Sequence, residues 1–255
     1  MTSETLLLTG ASSDIGVALI RELAHPGNSG LSFPGGILVH AHSATDRLEA
    51  LVSEFPQLAP RLKVLPADLA APEGAQNLIA RVRSECEYPT HVVHLAAARP
   101  KLTRVTKFAW PALARDLDIQ LRSLIELVNA FGPAMLRSKR NCKIVVMLSS
   151  VTLTGSTRSM PEYVVAKHAL LGYFRALSAE FAGKAVTVNA LSPSMVDTQF
   201  LADVPRLLVE QTAAASPHKR NALPTDVTPV IRFLLSADSN YLHGVNLAVT
   251  AGNSA

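Results

Sequence analysis

Short, uninterrupted apolar runs alternate along the chain with longer stretches whose apolar positions recur every three or four residues. An all-apolar run of that kind suits a strand buried on both faces, as the strands of a parallel sheet are. The pattern predicts strands at Leu6–Thr9, Ile37–Ala41, Leu62–Pro66, Val92–Leu95, Lys143–Ser149, Ala185–Leu191 and Gly244–Val249. Helices are predicted between them, at Ile15–Leu23 and most clearly at Leu113–Leu136 and Tyr163–Ala182. In the second of these, Leu117, Leu121, Leu124, Ile125, Val128 and Phe131 make an apolar stripe at helical spacing. Alternating strand and helix predict an α/β chain: a doubly wound, seven-stranded parallel sheet with helices on both faces.

Composition narrows this picture. At 255 residues, 48% hydrophobic and 17% charged, the chain suits one large core, and residues 1–255 are expected to form a single domain. No apolar stretch approaches the ~18 residues that span a membrane. The first strand begins so early that no cleavable signal is expected, which points to the cytoplasm. Cys86 and Cys142 lack metal or redox spacing and are expected to be idle thiols, with no metal site. The net charge is +4. Arg137, Lys139, Arg140 and Lys143 bracket a predicted helix end, where cations suit the dipole. Without interleaved aromatics they give no reason to expect nucleic acid. Ala24 to Gly36 carries four glycines and two prolines and is expected to be an exposed insertion without assigned function.

Two motifs carry chemistry. Tyr163 and Lys167 lie four apart in a helical stretch, so they share one face. An ammonium beside a phenol lowers the phenol's pKa and makes tyrosine usable as an acid or base. Ser150 follows a strand-like run and is placed to hydrogen-bond a substrate oxygen, with Ser149 as runner-up. Near the other end stands Thr9-Gly10-Ala11-Ser12-Ser13-Asp14-Ile15-Gly16, a glycine-containing turn between a strand and a helix. Such a turn lets backbone N–H groups and the helix's positive end meet a pyrophosphate. Taken singly, each motif is equally compatible with an exposed helix pair and an ordinary strand-to-helix turn.

Together and in order, the motifs resemble the short-chain dehydrogenase/reductase family across nearly the whole chain, which implies a Rossmann-like fold. Ser150 stands 13 residues before Tyr163, as is usual there. The resemblance implies cofactor contacts from Gly10, Ser12, Ser13, Asp14, Ile15 and Gly16, and from Asp68 and Leu69 at the adenine. Further contacts are implied from Leu95, Ala96 and Ala97, and from Pro193, Val196 and Thr198 near the carboxamide. Catalysis is implied for Ser150, Tyr163 and Lys167, with Lys167 also binding the nicotinamide ribose. Departures accompany this. Asp14 replaces the middle glycine, His94-Leu95-Ala96-Ala97 replaces Asn-Asn-Ala-Gly, Ser194 follows Pro193 where glycine is common, and Gln120 replaces the asparagine of the catalytic tetrad.

Cofactor choice turns on Ala41, which stands where NAD-preferring members carry an aspartate. His42, Ser43 and Arg47 are expected to donate to a 2′-phosphate, so NADP(H) is favoured over NAD(H). The implied reaction interconverts a ketone and a secondary alcohol. Arg99, Lys101, Arg104 and Lys107 follow the fourth strand and suit either a solvated loop or an acidic carrier, such as acyl carrier protein or CoA. Gln199 to Arg220 is expected to form a flap, and the resemblance implies a homodimer or homotetramer. Two other classes remain open: a cofactor-binding sensor without catalysis, and an enzyme similar to sugar-nucleotide epimerases or dehydratases.

Overall fold

The computed structural model describes residues 3–24, 31–43, 45–153 and 157–253. Seven parallel strands form one sheet in the order β3-β2-β1-β4-β5-β6-β7. They are β1 (Thr5–Thr9), β2 (Gly36–Ala41), β3 (Leu62–Pro66), β4 (His91–His94), β5 (Cys142–Met147), β6 (Val186–Pro193) and β7 (Asn246–Val249). The order reverses between β1 and β4, and at such a switch point a crevice opens beyond the strands' carboxyl ends.

Period-two alternation sorts the core into two layers. On β1, Leu6 and Leu8 pack on one face against α1 (Asp14–Ala24), α2 (Asp46–Glu54) and α8 (Pro224–Leu235). Leu7, between them, packs on the other face with α3 (Gly74–Glu85), α5 (Ser123–Arg137) and α6 (Pro161–Phe181). All three leucines are fully buried, each stabilising the fold by roughly 1.5–3 kcal/mol. Burial on both sides is why β1 reads as a continuous apolar run.

Strand ends shift by one or two residues from the sequence-based bounds, and one shift has consequences. Strand β5 ends at Met147, so Ser149 and Ser150 stand beyond the sheet, at the start of the short turn Ser150–Thr152. The helix expected over Leu113–Leu136 is not regular. Helix α4 (Trp110–Leu117) widens into a π-turn over Asp118–Arg122 before α5 begins. Of the expected insertion, residues 25–30 lie outside the described residues. The expected flap contains a short turn, Gln199–Leu201, and helix α7 (Arg206–Ala215). Among the described residues no helix is long and apolar enough to cross a membrane.

Candidate active site

Gly10 follows β1 directly and takes a φ of +66°, a conformation that glycine adopts without strain. A Cβ there would stand 2.9 Å from the Ala96 nitrogen, so the turn and the β4 loop close against each other. Gly16, in the first turn of α1, sits on the Ala11 backbone with no room for a side chain. The Ser13 hydroxyl accepts from the Gly16 N–H at 3.1 Å. The N-terminus of α1 therefore faces the crevice at the switch point, with Ser12, Ser13 and Ile15 around it.

His40 props this turn, a role that sequence reasoning missed. The Gly10 N–H donates to its Nδ1 at 3.3 Å, and its Nε2–H donates to the Ala67 carbonyl at 3.0 Å. Burial lowers the His40 pKa, which suits the neutral tautomer these bonds require. A histidine inside an apolar strand is the sequence signal for such a role.

His94 ends β4 and joins three segments. Its Nε2–H donates to the Gln120 carbonyl at 2.9 Å, and its Nδ1 accepts from the Thr9 hydroxyl at 2.9 Å. That hydroxyl in turn accepts from the Ala96 N–H at 3.4 Å. Burial pushes the His94 pKa down to about 4, so the ring stays neutral. Gln120 is fully buried in the π-turn, and neither atom of its side-chain amide has a partner among the described residues.

Helix α6 brings Tyr163 and Lys167 to the carboxyl end of β5. Lys167 is buried, and its ammonium donates to the Met147 carbonyl at 2.9 Å, 5.8 Å from the centre of the Tyr163 ring. Burial lowers the Lys167 pKa to about 7, opposed by the Asp116 carboxylate. For Tyr163 the expected direction is corrected: burial raises the phenol, and the opposing influence is a hydrogen bond with Ser149. Lys167 lies near the ring, but desolvation outweighs it.

The two serines also separate. Ser149 is buried and meets Tyr163, whereas Ser150 is half-buried and its hydroxyl has no hydrogen-bond partner among the described residues. Phe200 packs beside the tyrosine, ring centres 6.3 Å apart and the planes tilted by 58°. Asp116, another residue missed from sequence, is buried on α4, which packs on α6. Burial and the Glu162 carboxylate raise its pKa to about 6.

Beyond the ends of β2 and β3, His42 lies 3.6 Å from Asp68, and Asp68 accepts from the Ala70 N–H at 3.0 Å. Ser43 is exposed beside them and Leu69 is buried. Arg47 is not free as expected for a phosphate ligand. It binds the Ser12 carbonyl at 2.8 Å and Asp14 at 2.5 Å. Leu95 and Ala96 are buried, and Ala97 is half-buried. Beyond β6, which ends at Pro193, Val196 bridges to Ala222 and the Thr198 hydroxyl donates to the Val196 carbonyl. No group of three His, Cys, Asp or Glu side chains among the described residues is arranged to hold a metal ion.

A family model described as Enoyl-(Acyl carrier protein) reductase matches residues 32–254. The chain belongs to the short-chain dehydrogenase/reductase family. It is therefore an oxidoreductase of the CH–OH/C=O type, in a family that binds a nicotinamide cofactor. It is 29% identical to the 3-oxoacyl-(acyl-carrier-protein) reductase FabG of Aggregatibacter actinomycetemcomitans, covering 98% of this chain and 99% of that one. Nodulation protein G of Rhizobium sp. (strain N33) is 25% identical, covering 99% and 97%. Among solved structures, a Burkholderia cenocepacia short chain dehydrogenase in complex with NADP superposes with a TM-score of 0.84 at 20% identity. That likeness covers 99% of this chain and 98% of the other, as does a short-chain dehydrogenase/reductase from Serratia marcescens, with a TM-score of 0.85 at 20% identity.

Proposed function

We propose that this family member is an NADP(H)-dependent reductase converting a ketone to a secondary alcohol, or the reverse, with 3-oxoacyl thioesters as the leading substrate class. The observation that carries the reading is the juxtaposition of Tyr163, half-buried, and Lys167, buried, at the end of β5, with the ammonium 5.8 Å from the centre of the tyrosine ring. The turn fits a dinucleotide: it offers a helix N-terminus, two serine hydroxyls and a backbone without side chains at Gly10 and Gly16. Asp14 is the one group there that an anion would meet unfavourably.

When bound, the cofactor supplies the hydride. Tyr163 holds the proton that the developing alkoxide takes, and a phenol kept protonated by burial is ready to donate it. Ser150, with its free hydroxyl, orients the carbonyl oxygen, while Ser149 holds the tyrosine. Lys167, anchored on the Met147 carbonyl, holds a cation beside the phenol and would bind the nicotinamide ribose. Gln120 takes the tetrad position, but His94 already occupies its carbonyl.

Support for NADP(H) comes from Ala41 at the end of β2 and the exposed His42 and Ser43 that follow it, while Arg47 is held by Asp14 and the Ser12 carbonyl. An acyl carrier or CoA thioester suits the exposed strip after β4. There Arg99, Lys101, Arg104 and Lys107 flank Val105, 74% exposed, and Trp110, 70% exposed. The Thr103 N–H ties the strip to Ser159, just before α6. Trp110 on α4 and Val165 on α6 also present apolar surface for a second copy of the chain, in keeping with a homodimer or homotetramer.

The test is oxidation of NADPH and of NADH with 3-oxoacyl thioesters, simple ketones and quinones. Turnover of a 3-oxoacyl thioester with NADPH preferred, and a Tyr163→Phe variant at least about 100-fold slower, is expected. A preference for NADH would overturn the cofactor assignment, and NADPH binding without turnover across the panel would favour a sensor.

A further inference from the structure

Asp14 takes part in more than the start of a helix. A carboxylate in a first helical turn is favourable by itself, because it meets the positive end of the dipole. Here both oxygens are also engaged by distant segments. Oδ1 accepts from Arg47 of α2 at 2.5 Å, and Oδ2 accepts from the Gln199 N–H at 2.7 Å. Gln199 opens the short turn Gln199–Leu201, whose N-cap Thr198 makes no side-chain cap and instead donates its hydroxyl to the Val196 carbonyl. Asp14 thus supplies the cap from across the crevice. The next residue, Phe200, is the one whose ring packs at a tilt beside that of Tyr163.

We infer that Asp14 is a positioning residue that latches the Gln199–Leu201 turn to the glycine turn, holding Phe200 beside the Tyr163 ring. Arg47 is the latch's counterion, fixed on its other side by the Ser12 carbonyl. The seat for the pyrophosphate and the ring beside the phenol are thereby joined through one carboxylate. A glycine at position 14 lacks any acceptor for this. The functional meaning of the latch rests on reading the crevice as a nicotinamide-cofactor site.

The experiment is hydrogen exchange by mass spectrometry on cofactor-free protein, comparing wild type with Asp14→Gly and Asp14→Asn. A charge-assisted hydrogen bond lost at a partly exposed site should speed exchange at residues 199–201 by about tenfold in Asp14→Gly. Chymotryptic cleavage after Phe200 should rise in parallel. Asp14→Asn keeps an oxygen for Gln199 while losing the Arg47 ion pair, so it should restore most of the protection. Unchanged exchange at 199–201 in Asp14→Gly would overturn the latch. So would a loss of protection that spreads equally to β4 and β5, which would mark Asp14 as a general stabiliser. A wild-type protein that binds neither NADPH nor NADH would instead overturn the functional reading, leaving the exchange result to stand by itself.

Discussion

The imidazole of His94 donates to the main-chain carbonyl of Gln120 at 2.9 Å, tying the end of β4 to the one irregular turn between α4 and α5. A π-turn leaves a carbonyl poorly served within its own helix, and here a side chain from the sheet serves it. Replacing His94 by alanine strands that buried carbonyl and the Thr9 hydroxyl together. A loss of about 1–3 kcal/mol is expected, read from urea unfolding at pH 7. An unchanged midpoint would show that the bond does not matter to the fold.

Acid should destabilise this protein early. Burial holds both His94 and His91 at about 4, against 6.5 in an ordinary site. Above pH 6.5 both are neutral whether folded or unfolded. As pH falls from 6.5 toward 4 only the unfolded chain gains these protons, so stability is lost through that window. At pH 5 the loss is roughly 2 kcal/mol for each histidine. Asp116, raised to about 6, works the other way and offsets part of it. Denaturant midpoints at pH 7 and pH 5 should differ clearly, and less so in a His94→Ala background.

Gly16→Ala should fail in two ways. Its Cβ would press on backbone atoms of Ala11, which cannot rotate aside. Overpacking of this kind costs about 1–3 kcal/mol, and here it also displaces the first turn of α1. A lowered melting temperature with cofactor binding lost is expected. Normal binding in a calorimetric titration would show that the turn tolerates a side chain and is not the pyrophosphate seat.

Asp116 should set the pH at which Lys167 loses its charge. Its carboxylate opposes the burial that holds Lys167 near 7. Arg115, Lys101 and Glu162 also act on Asp116, the first two favouring its carboxylate and the last disfavouring it. In Asp116→Asn burial acts on Lys167 unopposed, so the ammonium is lost at lower pH. If turnover needs that cation, the alkaline limb of the kcat/KM profile should move down in pH. A limb that stays in place would remove Asp116 from the site.

The inner strands were legible because they are buried on both sides, with Leu6-Leu7-Leu8 the plainest case, whereas the edge strands β3 and β7 are partly exposed. The pairing of Tyr163 with Lys167 was legible for a similar reason, since helical spacing alone puts both on one face. Other features depend on partners far away in sequence. Nothing local in Asp118–Arg122 marks a π-turn, because the bond that completes it comes from β4. Arg47 reads as a free cation until Asp14 is seen beside it. The direction of the Tyr163 shift was misread because proximity of a cation is visible in spacing, whereas desolvation is not.

A π-turn is an α-helix with one residue too many. Deleting one residue from Asp118–Arg122 would let α4 and α5 run together as a regular helix, with the apolar stripe of α5 still facing the sheet. A shortened chain of that kind should therefore fold, within ~1 kcal/mol of its parent in either direction, while offering His94 no carbonyl at position 120. On that expectation the extra residue matters less to the architecture than to the anchor it gives the end of β4.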